Sequence, residues 1–513
     1  MKIKLIAIVL SFAGFVNSQN YVPDTSFGTN GSVVTNYNMY YDNDQAPSNC
    51  FYVNNRYIFT QKTQMSAFTY DGNIDFNFGT LGYSRLVDPT LVYNIRSSKL
   101  IGNYIYLMGL KTNGSSIRLG FVAKMSTDGI LDNSFGVGGI SSFPIEAAGN
   151  SFTSWDSESG VYDLVIKNGF IFTVGATFQA PITPSYANYA MFVSKLSLNG
   201  IIDSTFDING YKLYTNEFDV RGRGIFSYEN DLLLVAEGNG GQIGSRKILI
   251  KVDENGEYVN SFGTNGVKIR YICVGCSSWE KNTKVTLQEN YLYMLTNHYQ
   301  SAPGAWNAIQ RVDILSFETI NLAPAGSYSN YYIENDKIYI LGCNHLYTDC
   351  PNAFYLVKRN LIDGTLDLSF NQNGEYSYNI PTTAYDRASV LIRHTDGKMM
   401  IGGFGSTGSS GPSQAPYGGF AMARITDVLL NSNDFNRQNN FSVVPNPVQN
   451  NLTILNEKNR TIEKIYIFDV SGKIVYENNS YDAIINVEQF AAGIYYIKIY
   501  LENKTELLKF IKN

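Results

Sequence analysis

Between residues 99 and 143, apolar and polar positions fall into four short runs: Lys99 to Gly102, Tyr104 to Gly109, Gly120 to Ser126, and Leu131 to Phe143. A short turn, a longer loop and the Asp128-Gly129 pair separate them. Runs of this length bounded by Gly, Asn and Asp predict antiparallel strands joined by tight turns. The last run belongs to "DGILDNSFGVGG", and related stretches begin at Pro23, Asp71, Asn199, Asn255 and Asp363. Phe27, Phe78, Phe135, Phe206, Phe262 and Phe370 are the shared residues, each followed four positions later by Gly. The residue after each Phe is Gly, Asp or Asn, the types that tolerate positive φ, so a left-handed turn beside a core-anchored ring is expected. "DGNID" from Asp71 has the alternating oxygen donors of a calcium loop. At the same alternate place the other complete copies have Ile130, Ile201, Glu257 and Thr365, so a structural joint is expected and no metal.

The Asp-Gly or Asn-Gly pairs begin at 71, 128, 199, 255 and 363, and the last gap is about twice the others. "QRVDILSFETI" from Gln310 fills it as a degenerate unit with its turn near Leu315. "ARITD" from Ala423 starts a final unit that lacks its Phe-Gly half, and "PDTSFGTNG" near the N-terminus supplies the missing half. Seven units of four strands, split across the two ends, predict an all-β fold for residues 19–430: a seven-bladed β-propeller closed by the N-terminal strand. An open solenoid would leave the two half-units unmatched. The 14% aromatic content and 45 glycines agree with many short strands and tight turns. The copies "LDNSFGVGG" and "VNSFGTNG", preceded by "FVAKMSTDG" and "ILIKVDENG", resemble the delta-60 repeats of large secreted bacterial proteins. That resemblance implies a propeller-type fold and no defined catalytic residues.

A net charge of −5 with few charged residues excludes the basic field that nucleic acid needs. Residues 1–18 read as a signal peptide: Lys2 and Lys4, an apolar stretch from Leu5 to Val16, and cleavage expected between Ser18 and Gln19. No later stretch is long and apolar enough for a membrane helix, so the mature protein is expected to lack a transmembrane segment and to be soluble or tethered by other means; a monomer is expected. Export places the five cysteines in an oxidising compartment. Cys343 with Cys350, and Cys273 with Cys276, are expected to form disulfides, and Cys50 has no local partner. Four cysteines in two pairs also suit zinc, but a second CxxC is missing.

Residues 431–440, "NSNDFNRQNN", read as a linker. Beyond it, residues 441–513 alternate apolar and polar with turn signals at Ser471-Gly472 and Ala492-Gly493, which predicts a small β-sandwich. Pro445-Asn446-Pro447, Gly472 in "DVSGKIV", Gly493 in "AAGIYYIKI", and the basic end with Lys509 and Lys512 resemble the type A C-terminal sorting domain of the type IX (Por) secretion system. The resemblance implies a bacterium of the Bacteroidetes type, the type IX machinery as partner, and a product that is secreted or attached to the outer surface.

In an up-and-down blade, alternate connections lie on opposite faces. The short turns share one face, and the longer second-to-third-strand loops and the links between blades share the other. Trp155 and Trp279 are placed in links and Trp306 in a long loop, with Tyr299, Tyr347 and Tyr417 on the same face. Aromatic rings on scaffolded loops suit ligand binding, by stacking on sugar faces or by burying one edge. Asp156, Glu158, Glu280 and Asp349 share that face, and two among them would be the carboxylates of a polysaccharide hydrolase. No hydrolase, zinc-protease or nucleotide motif lies in a matching context. The expected function is a displayed propeller that binds an extracellular glycan or protein without turning it over and without a cofactor. The alternative is a polysaccharide-degrading propeller hydrolase.

Overall fold

The computed structural model describes residues 20–35, 47–113, 117–145, 158–179, 188–207, 209–214, 219–238, 245–273, 279–299, 306–343, 353–383, 385–406, 418–427, 441–456, 460–470, 473–478, 483–501 and 504–513. The fold is all-β, and among the described residues there is no helix. The chain divides into two compact units, Met1–Val428 and Leu429–Asn513.

Within the first unit, the described strands form six four-stranded antiparallel sheets at 49–84, 92–144, 160–214, 220–273, 279–321 and 327–378, each in plain sequence order. A seventh sheet contains Tyr385–Arg393, Met399–Ser406 and Gly418–Asp427. Two N-terminal strands, Tyr21–Pro23 and Ser32–Val34, both pair with Gly418–Asp427, in the registers Val22 to Thr426 and Val33 to Met422. The first strand of each sheet is an edge strand. First strands pack on first strands from the first sheet to the fifth and from the sixth to the seventh. Tyr385–Arg393 of the seventh packs on Asn49–Val53 of the first. Ser327–Glu334 of the sixth sheet lies against the second and third strands of the fifth.

In the second sheet the strands are Val92–Ile101, Tyr104–Thr112, Arg118–Ser126 and Ile140–Pro144, which corrects the boundaries expected from the sequence, most of all at the starts of the first and fourth strands. The first strand begins seven residues before Lys99, because a bulge between Ile95 and Ser97 lets pairing continue past a break in alternation. The fourth begins at Ile140 rather than Leu131. The intervening residues form the repeated joint, which meets the third strand in a bridge from Leu131 to Met125 and in single bonds such as Asp132 N–H to the Lys124 carbonyl, without a continuous ladder.

That joint behaves as its residue types require. Phe27, Phe78, Phe135 and Phe370 are fully buried, and Phe206 and Phe262 nearly so. The residue after each has positive φ: 54° at Gly28, 53° at Gly79, 57° at Gly136, 45° at Asp207, 59° at Gly263 and 50° at Asn371. The joint also reaches across to the next unit. The Gly79 amide donates to the Asp128 carbonyl at 2.8 Å, and the Gly136 amide to Asn199 at 2.7 Å. A Cβ at Gly129 would meet the Phe78 ring at 2.8 Å, and one at Gly200 would meet Phe135 at 2.7 Å. The Asp-Gly turn therefore needs glycine partly to seat the preceding unit's phenylalanine. The N-terminal segment uses the same device on the first sheet: Gly28 donates to the Asp71 carbonyl at 3.0 Å, and the Phe27 ring lies under Gly72.

A basic residue on the third strand pairs with the aspartate three positions before the phenylalanine: Lys124 with Asp132 at 2.8 Å, Lys358 with Asp367 at 3.1 Å, and Arg424 with Asp24 at 2.8 Å. Burial opposes ionisation of Asp24, but bonds from Ser26 and Lys398 and the Arg424 charge outweigh it and hold the carboxyl at about 2. Bonds from Lys124 and Ser134 hold Asp132 at about 2 as well. Folded values below the ordinary 3.8 mean that these pairs stabilise the fold above about pH 4 and that this contribution is lost as pH falls toward 2. The urea midpoint is expected to be flat from about pH 7 to 5 and to fall below about pH 4. The fall should be shallower in a Asp132→Asn variant, and an equally steep fall would exclude this pair as a cause.

The second unit has a three-stranded sheet (Phe441–Val444, Asn451–Asn456, Ile484–Asn486) and a four-stranded sheet (Ile474–Asn478, Lys464–Asp469, Gly493–Leu501, Lys504–Lys512). Alternating residues of both, including Phe441, Leu452, Ile465, Ile467, Ile497, Ile499 and Phe510, form one core, as alternation requires of a two-sheet sandwich.

Candidate functional site

Only part of the aromatic set lies where the structure can place it. Trp155, Tyr347 and Tyr417 lie outside the described residues. Trp279 and Trp306 are corrected from a link and a loop to the first residues of strands, Trp279–Gln288 and Trp306–Asp313, and Tyr299 is the last residue of Tyr291–Tyr299. Extended, β-favouring segments on either side carry the pairing further than the turn signals imply. The register sets Trp279 opposite Tyr299, and Trp306 opposite His298. Three aromatic residues and a histidine from three strands thus converge at one end of the fifth sheet. Their side-chain arrangement lies outside what is described.

Two residues along from Trp279, Lys281 enters a charged cluster drawn from three sheets. Arg223 sits in a bulge between Gly222 and Gly224 on the first strand of the fourth sheet. Its Nη2 donates to Glu158 at 2.5 Å and pairs with Glu237 at 2.7 Å, its Nε donates to Glu237 at 2.8 Å, and the guanidinium lies 4.3 Å from the Tyr162 ring centre. Lys281 Nζ donates to the other Glu158 oxygen at 2.7 Å, and the Asn282 amide donates to Glu237. Burial penalises the Glu158 carboxylate, but Arg223 and Lys281 outweigh the penalty and hold it well below the usual range. Nearby Asp219 goes the other way: burial exceeds the pull of Arg221, 3.0 Å away, and lifts its carboxyl to about 6.

The chemistry available to this cluster follows from its pairing. A glycosidase acid must hold a proton near neutral pH. Glu158, one of the four acids expected for a hydrolase, instead shares a guanidinium with Glu237 and stays ionised, which makes it a bracket between sheets. Asp156 and Asp349 lie outside the described residues, as does the side chain of Glu280. Sequence reasoning missed Arg223, Glu237, Lys281 and Tyr162. The legible signal was "RGRG", where glycines inside a strand mark a bulge that re-aims the residue between them.

The pairings of Cys273 with Cys276 and of Cys343 with Cys350 lie outside the described residues. Cys50 is a buried free thiol whose pKa burial pushes up. Among the described residues no group of His, Cys, Asp and Glu is placed to hold a metal ion, and no helix is long and apolar enough to cross a membrane.

In the second unit the fold joins two motifs far apart in sequence. Asn446, between Pro445 and Pro447, accepts from the Ile511 amide at 2.9 Å and donates from Nδ2 to the Lys509 carbonyl at 3.2 Å. Val448 bonds to the Ile511 carbonyl at 2.8 Å and accepts from Asn513 at 2.9 Å. Lys512 is buried while Lys509 is exposed, and Gly493 starts the strand paired to the terminal one. Gly472 lies outside the described residues. The Pro-Asn-Pro segment and the basic C-terminal end form one edge of the sandwich.

No curated protein matches the sequence. Among solved structures, the extracellular domain of BT4673 from B. thetaiotaomicron is similar at 11% identity and a TM-score of 0.35, covering 97% of this chain and 59% of that one, so the chain spans less than two thirds of it. The Neurospora crassa Pan2 WD40 domain is similar at 8% identity and a TM-score of 0.42, covering 79% of this chain and 96% of that one. PorZ, a surface component of the type IX secretion system of Porphyromonas gingivalis, is similar at 10% identity and a TM-score of 0.18, covering 92% and 82%. Residues 442–513 match the family of secretion system C-terminal sorting domains. The second unit is therefore a sorting domain of the type IX route, and it marks the protein as secreted or attached to the outer surface.

Proposed function

We propose that this protein is a secreted, surface-displayed β-propeller that binds an extracellular glycan through its loop face and does not turn it over. The seven sheets are read as seven blades of delta-60 type, with Tyr21–Pro23 and Ser32–Val34 closing the ring on Gly418–Asp427. The sorting domain delivers the propeller outside the cell and is removed or retained there.

The observation that carries the reading is the register placing Trp279 opposite Tyr299 and Trp306 opposite His298 at one sheet end. Aromatic residue types brought to one sheet end suit this reading, because rigid rings can stack on sugar C–H groups at little entropic cost. Glu158, the one candidate acid whose side chain is described, is bound into ion pairs, which favours binding over hydrolysis.

The test is binding of the purified protein to a panel of bacterial, plant and algal polysaccharides, with reducing-end release measured in the same wells. Binding without release is expected. The double substitution Trp279→Ala and Trp306→Ala should weaken it at least about ten-fold, at about 1 kcal/mol per ring. Release of reducing ends by the wild type would install the hydrolase in place of this reading. Unchanged binding by the double variant would move the site away from the fifth sheet, and silence throughout would turn attention to protein partners.

A further inference from the structure

Six first strands bulge at one equivalent place: between Ile95 and Ser97, Val161 and Asp163, Gly222 and Gly224, Asn282 and Lys284, Tyr328 and Asn330, and Ala388 and Val390. The residues just past the bulges, Ser97, Asp163, Gly224, Lys284, Asn330 and Val390, are therefore structural equivalents on edge strands, which pack along one another except between the fifth and sixth sheets.

Near this level the same lysine bracket is built twice. Between the second and third sheets, Lys99 Nζ donates to Asp163 Oδ1 at 2.9 Å and to the Leu164 carbonyl at 2.8 Å. Between the fifth and sixth, Lys284 Nζ donates to Asn330 Oδ1 and to the Tyr331 carbonyl, both at 2.8 Å. The acceptors correspond one for one, except that Asn330 stands where the first bracket has an aspartate. The amide keeps the hydrogen bond and removes the counter-charge. Among the described residues, no carboxylate lies within ion-pair distance of Lys284, whose ammonium is also 4.8 Å from the Tyr331 ring centre.

An ammonium enclosed by protein and satisfied only by neutral acceptors loses hydration without gaining a charge partner, and the enclosure pulls its pKa down to about 8. Two of its three N–H groups are engaged, which leaves one donor. Lys284 as a whole is only half-buried. We propose that Lys284 is the anchor of a site for a small oxyanion, a carboxylate or a phosphate, at the inner edge between the fifth and sixth sheets. The anion accepts the remaining ammonium N–H and supplies the charge that Asn330 lacks. This site is separate from the aromatic end of the fifth sheet, and neither reading depends on the other.

Calorimetric titration of the full-length protein with sodium acetate and, separately, with inorganic phosphate at pH 7 tests it. At least one is expected to bind saturably, the two arms distinguishing a planar carboxylate from a tetrahedral oxyanion. Lys284→Met should abolish the binding. Asn330→Asp, which rebuilds the Lys99 bracket with its own carboxylate, should weaken it at least ten-fold without lowering the thermal midpoint by more than a few degrees, the cost of the lost Nδ2 bond to the Ser389 carbonyl. Absence of saturable binding of either anion to the wild type, or undiminished binding by the Asn330→Asp variant, would overturn the site.

Discussion

Replacing Asp24 with alanine is expected to destabilise the first unit by about 3–5 kcal/mol, the usual cost of stripping one partner from a buried ion pair. The Asp24 carboxylate accepts from Arg424 Nε at 2.8 Å, from Lys398 at 2.9 Å and from the Ser26 hydroxyl at 2.6 Å. The Arg424 side chain is only 1% exposed, so without Asp24 its charge has no water to turn to. Its remaining bonds, to the Tyr70 carbonyl and the Ser26 hydroxyl, are to neutral groups. The pair also spans most of the unit, tying the N-terminal segment to the strand Gly418–Asp427. Its loss should therefore free that segment as well as lower the midpoint. Urea unfolding of the full chain, followed by tyrosine fluorescence, should show a lower midpoint, and limited proteolysis should cut first among residues 20–34. Equal midpoints and an uncut N-terminus would mean that the segment contributes little to holding the last sheet.

Phe135→Ala is expected to cost a similar amount, about 3–5 kcal/mol, from lost apolar transfer and the cavity left behind. The ring is fully buried, lies 6.1 Å from Tyr106 in an edge-on contact, and fills the space under Gly200 of the next unit. A neighbouring residue supplies the control. Ile130, in the same repeated stretch, is 64% exposed, and Ile130→Ser should change stability by no more than about 0.5 kcal/mol. If the two variants unfolded alike, the joint would be a surface turn and the inter-unit contact incidental. A broadened transition in Phe135→Ala alone would locate the joint's contribution in coupling between sheets, because unit-to-unit interfaces carry cooperativity in repeat folds.

Strands and turns were legible in the chain because their causes are local. Alternation marks a half-buried strand, Asp-Gly and Asn-Gly mark hairpins, and a residue tolerant of positive φ after each phenylalanine marks a joint. The degenerate turn near Leu315 was legible for the same reason and is present as a turn from Asp313 to Phe317. The sorting domain was readable from short motifs whose residues lie within some seventy positions of one another, a span confirmed by the match to 442–513.

What the sequence by itself determined is thus the all-β class, the repeated joint with its glycine and phenylalanine, and the export address. The tertiary structure decided which distant residues meet. It started the fourth strand of the second sheet late, at Ile140, drew Trp279, Trp306 and Tyr299 onto strand ends, locked Glu158 and Glu237 onto Arg223, and set Lys284 against Asn330 instead of an aspartate. None of these follows from periodicity. Each depends on which strand packs beside which and on how far burial is offset by a partner many residues away, and those quantities exist only once the whole chain has folded.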